Sequence, residues 1–328
     1  MRILVTGSTG HIGNVLIREL LKKGYNDITA FIRNGEKSAW LDGLNIKLAY
    51  GDVRDIDSLK KAFEGHDVVF HLAGLIDIGN GNKQLMHDIN VGGSKNVVEA
   101  CKSVGVKKLI YTSSVHAIPT KPIREVISET KNFSPDLVKG TYAKTKAEAT
   151  AYMLKSNSND LQVIITHPSG VIGPYEYITS NLGQLIIDCA KRKMKAYISG
   201  GYNFVDVRDV ALGLIGALEK GTPGECYILA GHYVSIEELI KYVQDVTNVP
   251  APKFKLARWF AYATGALSEV YYKIVKQKPL FTSYSVYTTG TNANFSIEKA
   301  KKELGYSPRD FKETMVDTIY WMKENGKI

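Results

Sequence analysis

Apolar runs of strand length alternate with helix-length segments through the first two thirds of the chain. Strands are predicted at residues 2–6, 28–32, 46–49, 68–72, 108–112 and 162–167. Helical spacing lies between them, at 11–23, 57–63, 84–104 and 142–155, and Asp57 is the expected N-cap of its helix. Strands that alternate with helices build right-handed βαβ units. The alternation therefore predicts an α/β fold with a doubly wound parallel sheet.

The alternation weakens after residue 174 but continues. A helix at 180–192, a short strand around Phe204, a helix at 207–218 and a strand at 226–229 are predicted to complete the sheet. Ser235 and Glu238 then have the spacing of a capping box, which starts another helix. The sequence has no internal repeat and no Gly/Ser linker. We therefore expect the second unit to be interleaved with the first.

The composition of the 328-residue chain is typical of a folded globular protein, with 44% hydrophobic and 23% charged residues. Its 42 Lys and Arg exceed its 33 Asp and Glu, but the basic cluster at 191–195 has no interleaved aromatic residues, so no nucleic-acid partner is expected. The apolar stretch 256–275 contains three charged residues, which argues against an integral membrane span. The spacing of cysteines and histidines predicts no metal site. The three cysteines lie far apart in the sequence, which favours a cytoplasmic location.

A glycine-rich turn follows the first strand and opens the first helix. It reads TGSTGHIG, from Thr6 to Gly13. Glycines in this context let the backbone turn tightly and let a ligand approach closely, while the first amides of the helix face an anion. Strand, turn and helix together predict a site for the pyrophosphate of a dinucleotide.

The GxxGxxG spacing of this turn is similar to that of the extended short-chain dehydrogenases/reductases, the NAD-dependent epimerase/dehydratase superfamily. Other segments match the same family in order and spacing. They read GDV from Gly51, HLAG from His71, NVGG from Asn90, TSS from Thr112, YAKTK from Tyr142 and FVDVRD from Phe204. HPSGVIGP from His167 and LGYSPR from Leu304 resemble its dihydroflavonol 4-reductase-like and 3β-hydroxysteroid dehydrogenase-like members.

The resemblance implies a Rossmann domain that binds the cofactor. Residues 1–175, with returning segments at about 200–230, would form this domain, and 176–199 and 231–328 would mainly bind substrate. Asp52 and Val53 would hold the adenine, and the adenosine and pyrophosphate would be lined by Leu72, Ala73 and Gly74. The implied cofactor-binding set also includes Gly7, Thr9, Gly10, His11, Ile12, Gly13, Thr112, Tyr142, Lys146, His167 and Pro168.

The residue that ends the second strand bears on the choice of dinucleotide. NAD-preferring members have an acidic residue there, which accepts hydrogen bonds from the ribose hydroxyls. This chain has Arg33, with Lys37 nearby, and a guanidinium can bind a 2′-phosphate bidentately. NADP(H) is therefore favoured, and NAD(H) is the alternative if Arg33 is only a solvated surface cation.

Tyr142 and Lys146 are four residues apart on a predicted helix, so their side chains emerge on one face. An adjacent ammonium favours the phenolate of a tyrosine, which can then exchange a proton with an alcohol. Because this spacing also occurs on solvated helices, its meaning depends on the glycine-rich turn and on Ser114, at the end of the fifth strand. The resemblance implies that Ser114, or alternatively Ser113, orients a substrate carbonyl and that Asn90 holds a water of a proton relay.

These assignments predict an NADP(H)-dependent oxidoreductase that transfers a hydride to a ketone or aldehyde while Tyr142 protonates the oxygen. Val115 and His116 follow Ser114 where sugar dehydratases have an acid–base pair. His167 and Tyr202 stand where nucleotide-sugar epimerases contact a diphosphate with other residues. An epimerase is therefore the alternative, and a non-catalytic NADP(H)-binding sensor or scaffold is a third hypothesis.

The partner expected from this resemblance is a small carbonyl compound that is bulky and apolar, either steroid-like or dihydroflavonol-like. Aromatic residues near the C-terminus would build its cover, although core packing explains them equally well. These residues are Trp259, Phe260, Tyr262, Tyr271, Tyr272, Phe281, Tyr284 and Tyr287. The helices at 84–104 and 142–155 could also form the interface of a homodimer.

Overall fold

The computed structural model describes residues 1–76, 82–252, 254–257 and 283–328, with the backbone alone at 283–285. Seven parallel strands form its central sheet. They are β1 (Ile3–Thr6), β2 (Ile28–Ile32), β3 (Lys47–Tyr50), β4 (Val68–His71), β5 (Lys108–Thr112), β6 (Gln162–Pro168) and β10 (Cys226–Leu229). The strand order is β10-β6-β5-β4-β1-β2-β3. Strands β1 to β3 are added toward one edge of the sheet and the later strands toward the other, so the strand order reverses between β1 and β4. At such a reversal, a crevice for ligands opens at the carboxyl ends of the strands.

Helices cover both faces of this sheet and bury its strands on both sides, except for the exposed edge strand β3. The helices that precede β6 are α1 (His11–Lys22), α2 (Ile56–Phe63), α3 (Lys83–His87), α4 (Gly93–Val104) and α5 (Thr141–Ser156). A π-helical turn, Asp88–Gly92, joins α3 to α4. The later helices are α6 (Asn181–Ala190), α7 (Val207–Lys220), α8 (Ile236–Thr247), α9 (Ser283–Thr288), α10 (Glu298–Leu304) and α11 (Phe311–Glu324).

Two small sheets lie beyond β6. The first consists of β7 (Gly170–Ile172), β9 (Gly201–Asp206) and β11 (His232–Ser235), and the second pairs β8 (Ala196–Ile198) with β12 (Phe254–Leu256). A separate apolar cluster packs β7, β9, α6, α8 and α11 together. In the described part of the chain, none of the helices has both the length and the apolarity that a membrane span requires.

The predicted fold class is confirmed, and the predicted strands of the central sheet lie within one residue of the observed ones. The N-cap of α2 was predicted wrongly. The cap is Asp55, whose side chain accepts hydrogen bonds from the amides of Asp57 and Ser58. Asp55 has the extended backbone that a cap needs, whereas Asp57 already lies in the first helical turn. The capping box of Ser235 and Glu238 is present as predicted.

Most of the aromatic residues expected to cover the substrate lie outside the described residues. These are Trp259, Phe260, Tyr262, Tyr271, Tyr272 and Phe281, together with the side chain of Tyr284. Tyr287 is described, and its ring lies 4.5 Å from the Lys139 ammonium. The substrate cover therefore stays a prediction.

Candidate active site

The backbone of the glycine-rich turn is packed so closely that its glycine positions leave little or no room for a Cβ atom. Gly7 has a φ of +68°, and a Cβ there would lie 2.7 Å from the backbone nitrogen of Ala73. A Cβ on Gly13 would lie 2.1 Å from the carbonyl oxygen of Gly7, and one on Gly10 would lie 3.2 Å from the same atom. Among the described residues, no side chain caps the N-terminus of α1, which begins at His11. The first amides of this helix are therefore available to an anion at the crevice.

The loop after β4 is tied to this turn by a buried hydrogen-bonded chain. The Thr6 hydroxyl accepts from the amides of Leu72 and Ala73, each at 3.2 Å, and bonds Nδ1 of His71 at 2.8 Å. Nε2 of His71 bonds the Ser94 hydroxyl at 3.2 Å. Burial and then the nearby Lys146 charge lower the pKa of His71 to about 3, so this imidazole is neutral at physiological pH. These hydrogen bonds fix Leu72 and Ala73 against β1.

A depression of about 580 Å³ opens beside the ends of β2 and β3. Arg33, Glu36, Asp52 and Arg54 line it. Arg54 bonds both carboxylate oxygens of Asp52, at 3.0 and 2.7 Å. Lys37 is exposed and is not among the residues that line this depression.

Val53 faces the opposite side from the depression. Its side chain is buried, and a Cβ on Gly93 would lie 2.8 Å from its Cγ2 atom. Its carbonyl oxygen accepts a hydrogen bond from the amide of Asn96 at 3.0 Å. Val53 therefore joins the end of β3 to α4.

Ser114 and Tyr142 meet at the carboxyl edge of the sheet. Tyr142 lies in the first turn of α5, and Ser114 is the N-cap of a short 3-10 helix, Val115–Ala117. Both side chains are buried, and the Ser114 hydroxyl lies near enough to the Tyr142 phenol to lower its pKa. Burial raises the pKa of Tyr142 to about 12, and the Ser114 hydroxyl opposes that rise. The phenol is therefore protonated at neutral pH in this structure.

Lys146 is buried one turn further along α5. Its ammonium donates to the carbonyl oxygen of Thr112 at 2.9 Å and contacts the Tyr111 hydroxyl at 3.4 Å. Burial lowers the pKa of Lys146 to about 8. The expected fall in the pKa of Tyr142 is not observed, because burial of the phenol dominates its titration. In the protein alone, the ammonium is directed at β5.

Asn90 and Gly74 lie next to the Lys146 ammonium. A Cβ on Gly74 would be 3.3 Å from Oδ1 of Asn90 and 3.5 Å from Nζ of Lys146. The Asn90 amide bonds the backbone nitrogen and oxygen of Leu75, at 2.7 and 3.0 Å, and the Thr145 hydroxyl at 3.1 Å. Asn90 therefore joins the loop after β4 to α5, and the water proposed at this residue stays a prediction.

Ser113 points away from the phenol. Its hydroxyl bonds the hydroxyl of Thr150 at 2.6 Å, and both groups are buried between β5 and α5. The structure thus brings Ser114, rather than Ser113, to Tyr142. The two serines have different neighbours because successive side chains of an extended segment point to opposite faces.

His167 lies behind Ser114 at the end of β6, directly before Pro168. Its ring stacks on Phe133 with the centroids 5.3 Å apart, and Nδ1 bonds the carbonyl oxygen of Ser114 at 3.0 Å. Burial lowers the pKa of His167 to about 4. Nε2 of His167 and the hydroxyl of Thr112 are buried with no hydrogen-bond partner among the described residues. Buried polar atoms of this kind require a partner.

A family model described as the NAD dependent epimerase/dehydratase family matches residues 3–230. The chain belongs to this family. Sterol demethylase protein B of Methylococcus capsulatus is 30% identical and is aligned over 100% of both chains. Sterol-4-alpha-carboxylate 3-dehydrogenase, decarboxylating, of Bos taurus is 31% identical over 96% of this chain and 90% of the relative. The crystal structure of gox2253 has a TM-score of 0.87 at 34% identity and covers 100% of this chain and 99% of its own.

The resemblance to extended short-chain dehydrogenases/reductases is therefore confirmed, and the protein is an NAD(P)-dependent enzyme that acts on CH–OH groups. The residues present fit the dinucleotide of this family. Gly7 and Gly13 allow the close backbone contacts of the turn, and no described side chain caps the first amides of α1, which face the crevice. The unpartnered atoms of Thr112 and His167 lie at the same carboxyl edge of the sheet. In the described part of the chain, no three His, Cys, Asp or Glu side chains are grouped to hold a metal ion.

For this epimerase/dehydratase family member, three residues of the site were missed by the sequence analysis. Glu36 and Arg54 line the depression, and the Tyr111 hydroxyl contacts Lys146. Glu36 has a usable signal, because it follows Arg33 by three residues with opposite charge. Arg54 follows Asp52 by two residues, a spacing at which ion pairs are not expected from periodicity. Tyr111 reads as an ordinary buried strand residue.

His116 lies beside the Tyr142 phenol, and Tyr202 packs on His116. The His116 ring stacks on Tyr202 with the centroids 5.6 Å apart and meets the Tyr142 ring edge-on at 6.0 Å. Nε2 of His116 and the Tyr202 hydroxyl are 3.0 Å apart. Burial lowers the pKa of His116 to about 4, so the imidazole beside Tyr142 is neutral at physiological pH.

Proposed function

We propose that the protein is an NADP(H)-dependent oxidoreductase that reduces a ketone or aldehyde on a bulky apolar substrate, with Tyr142 as the acid. The observation that carries the proposal is the buried pair of Tyr142 and Ser114 at the carboxyl edge of the sheet, with the Lys146 ammonium on the same helix as Tyr142. The names of the sterol-processing relatives support a steroid-like substrate, and a relative of Synechocystis named putative dihydroflavonol 4-reductase supports a dihydroflavonol-like one as the alternative. Bound NADPH supplies the hydride.

Tyr142 donates a proton to the substrate oxygen as the carbonyl carbon is reduced. A pKa of about 12 keeps the phenol protonated at neutral pH, so the acid is present before the reaction begins. Ser114 donates its hydroxyl hydrogen to the same oxygen and thereby fixes the carbonyl beside the phenol. The phenolate that results lies in the first turn of α5, where the positive end of the helix dipole favours an anion.

Lys146, one turn further along α5, supplies positive charge that favours this developing phenolate. The Thr112 carbonyl keeps the ammonium in place, and its pKa of about 8 allows it to be charged at neutral pH. A charged group that is already oriented stabilises developing charge without reorganisation during the reaction. Its remaining hydrogen is available to the ribose of the nicotinamide nucleotide, across the space beside Gly74.

The preference for NADP(H) is assigned to the depression at the ends of β2 and β3. Arg33 and Arg54 both line it, and guanidinium groups bind phosphate better than other side chains do. Asp52 holds Arg54 within the depression. Arg33 therefore replaces the acidic residue of NAD-preferring relatives, and Arg54 supplies a second cation.

The test is turnover by the purified protein with NADPH or NADH and a panel of steroid ketones, dihydroflavonols, aldehydes and nucleotide sugars. Tyr142→Phe is measured beside Tyr152→Phe, a matched substitution on the same helix. We expect reduction of a steroid ketone with NADPH, lost only in Tyr142→Phe. Epimerisation of a nucleotide sugar, or tight NADPH binding with no turnover of any substrate, would refute the proposal.

A further inference from the structure

Glu36 projects into the same depression as Arg33, at the rim where β2 ends. Its side chain is only 19% exposed, whereas that of Arg33 is 60% exposed. Its carboxylate accepts from Nη2 of Arg33 at 3.1 Å, from Nε at 3.3 Å and from the Arg33 backbone nitrogen at 3.4 Å. A carboxylate is thus held on one edge of the arginine that would recognise a 2′-phosphate.

Glu36 is also connected to the glycine-rich turn. The Thr9 hydroxyl lies near enough to the Glu36 carboxylate to lower its pKa, so Thr9 and Arg33 both act on one carboxylate. Burial disfavours the charge, but the hydrogen bonds and the charge of Arg33, together with the Thr9 hydroxyl, hold the pKa of Glu36 below its usual range. The carboxylate is therefore ionised at neutral pH. The anion is held by three hydrogen bonds from Arg33 and lies beside Thr9 of the glycine-rich turn.

This arrangement has opposite consequences for the two dinucleotides. A 2′-phosphate bound by Arg33 must use the other edge of the guanidinium, and the doubly charged phosphate is then repelled by the adjacent carboxylate. The 2′-hydroxyl of NAD(H) carries no charge, and a carboxylate accepts hydrogen bonds from hydroxyls. Glu36 thus opposes the preference that Arg33 and Arg54 create.

We propose that Glu36 is the residue that limits discrimination between NADP(H) and NAD(H), by competing with the 2′-phosphate for Arg33. The inference rests on the proposed function, because it takes the depression to be the adenosine end of the dinucleotide site. Glu36→Gln keeps the size of the side chain and its acceptor oxygen but removes the charge. We expect the ratio of the NADH to the NADPH dissociation constant to rise about tenfold in this variant.

The experiment is isothermal titration calorimetry of the full chain with NADPH and with NADH, which needs no substrate and no turnover. Glu298→Gln is the matched control, because Glu298 also pairs with a cation three residues away, Lys301, at an exposed position outside the depression. Arg33→Ala, and the double variant that combines Arg33→Ala with Glu36→Gln, complete a double-mutant cycle. Without Arg33, the Glu36 substitution should change the ratio much less.

The outcomes separate the inference from the proposed function. If the ratio of the NADH to the NADPH dissociation constant rises in Glu36→Gln but not in Glu298→Gln, the competition between Glu36 and the 2′-phosphate for Arg33 is supported. If both dinucleotides bind but the ratio is unchanged or falls in Glu36→Gln, the inference is wrong and the proposed function stands. If the wild-type chain binds neither dinucleotide, both fail. Circular dichroism of each variant shows whether a lost affinity reflects a lost fold.

Discussion

A charged lysine buried beside β5 makes the stability of this protein depend on pH. Burial lowers the pKa of Lys146 from 10.5 to about 8, so between these values the unfolded chain binds more protons at this residue than the folded chain does. Stability therefore increases with pH in that interval, because the folded state no longer holds an unfavourable charge. Tyr142 has the opposite effect above pH 10, since its folded pKa is raised from 10.0 to about 12.

The measurement is the melting temperature of the wild type and of Lys146→Met at intervals from pH 8 to pH 10, the range set by these two residues. We expect the wild type to gain stability relative to Lys146→Met as the pH rises. Lys144→Met, on an exposed position of the same helix, is the control and should keep a constant difference from the wild type. A constant difference for Lys146→Met as well would contradict the assigned pKa.

Adjacent serines at the end of β5 give a second prediction at the scale of single residues. Ser114→Ala should lower kcat by about a hundredfold, because the substrate oxygen loses a donor that acts in the transition state. Ser113→Ala should leave kcat nearly unchanged and lower the free energy of unfolding by about 1 to 2 kcal/mol, because buried Thr150 loses a partner. Steady-state kinetics and urea unfolding of both variants test this division. The reverse pattern would assign catalysis to Ser113.

Sequence periodicity predicts the regular helices and strands of this fold more accurately than it predicts the irregular turns within them. β2 and β5 match their predicted bounds, because a buried apolar run bounded by turns has few other structures available. Periodicity predicts one helix at 84–104, yet a π-helical turn, Asp88–Gly92, interrupts it and turns Asn90 toward Leu75 and Thr145. That turn depends on partners distant in sequence, which a local pattern does not contain.

The site shows the same division between local and long-range information. The YxxxK and GxxGxxG spacings are local, so the sequence identifies Tyr142, Lys146 and the turn directly. The approach of Glu36 to Thr9, by contrast, depends on where the loop after β2 passes the turn. The directions of the pKa shifts depend on burial, which the fold as a whole determines.

The contact between the glycine-rich turn and α1 leads to a prediction at the scale of elements. Gly13→Ala places a Cβ where it collides with the carbonyl of Gly7, so we expect a loss of several kcal/mol of stability and of NADPH affinity. Gly92→Ala is the matched control, because nothing described lies within 4 Å of its Cβ position and its backbone is helical. This control should be neutral or slightly stabilising. Thermal unfolding and calorimetric titration distinguish them, and equal behaviour would refute the packing argument.

At the scale of the whole molecule, the C-terminal segment is attached to the central sheet through buried polar contacts. Arg309 bonds the Asp209 carboxylate at 2.8 Å and approaches Asp206 at 3.6 Å, and the aspartate side chains are 3% and 0% exposed. The Tyr306 hydroxyl donates to the carbonyl of Ala230, directly after β10, at 3.0 Å. These contacts join α7 and β10 to the segment that leads into α11. The C-terminal helix is thus held by the same elements that complete the cofactor-binding sheet.

This attachment predicts that loss of Arg309 weakens the whole molecule rather than one part of it. Arg309→Ala leaves two buried carboxylates with fewer partners, which should cost roughly 2 to 4 kcal/mol of unfolding free energy. In urea, we expect the midpoint to fall while the transition stays single and its slope is unchanged, because the segment and the sheet unfold together. Lys301→Ala, which removes only an exposed ion pair with Glu298, should change the midpoint little. Two separate transitions in Arg309→Ala would instead mean that the C-terminal segment unfolds independently of the sheet.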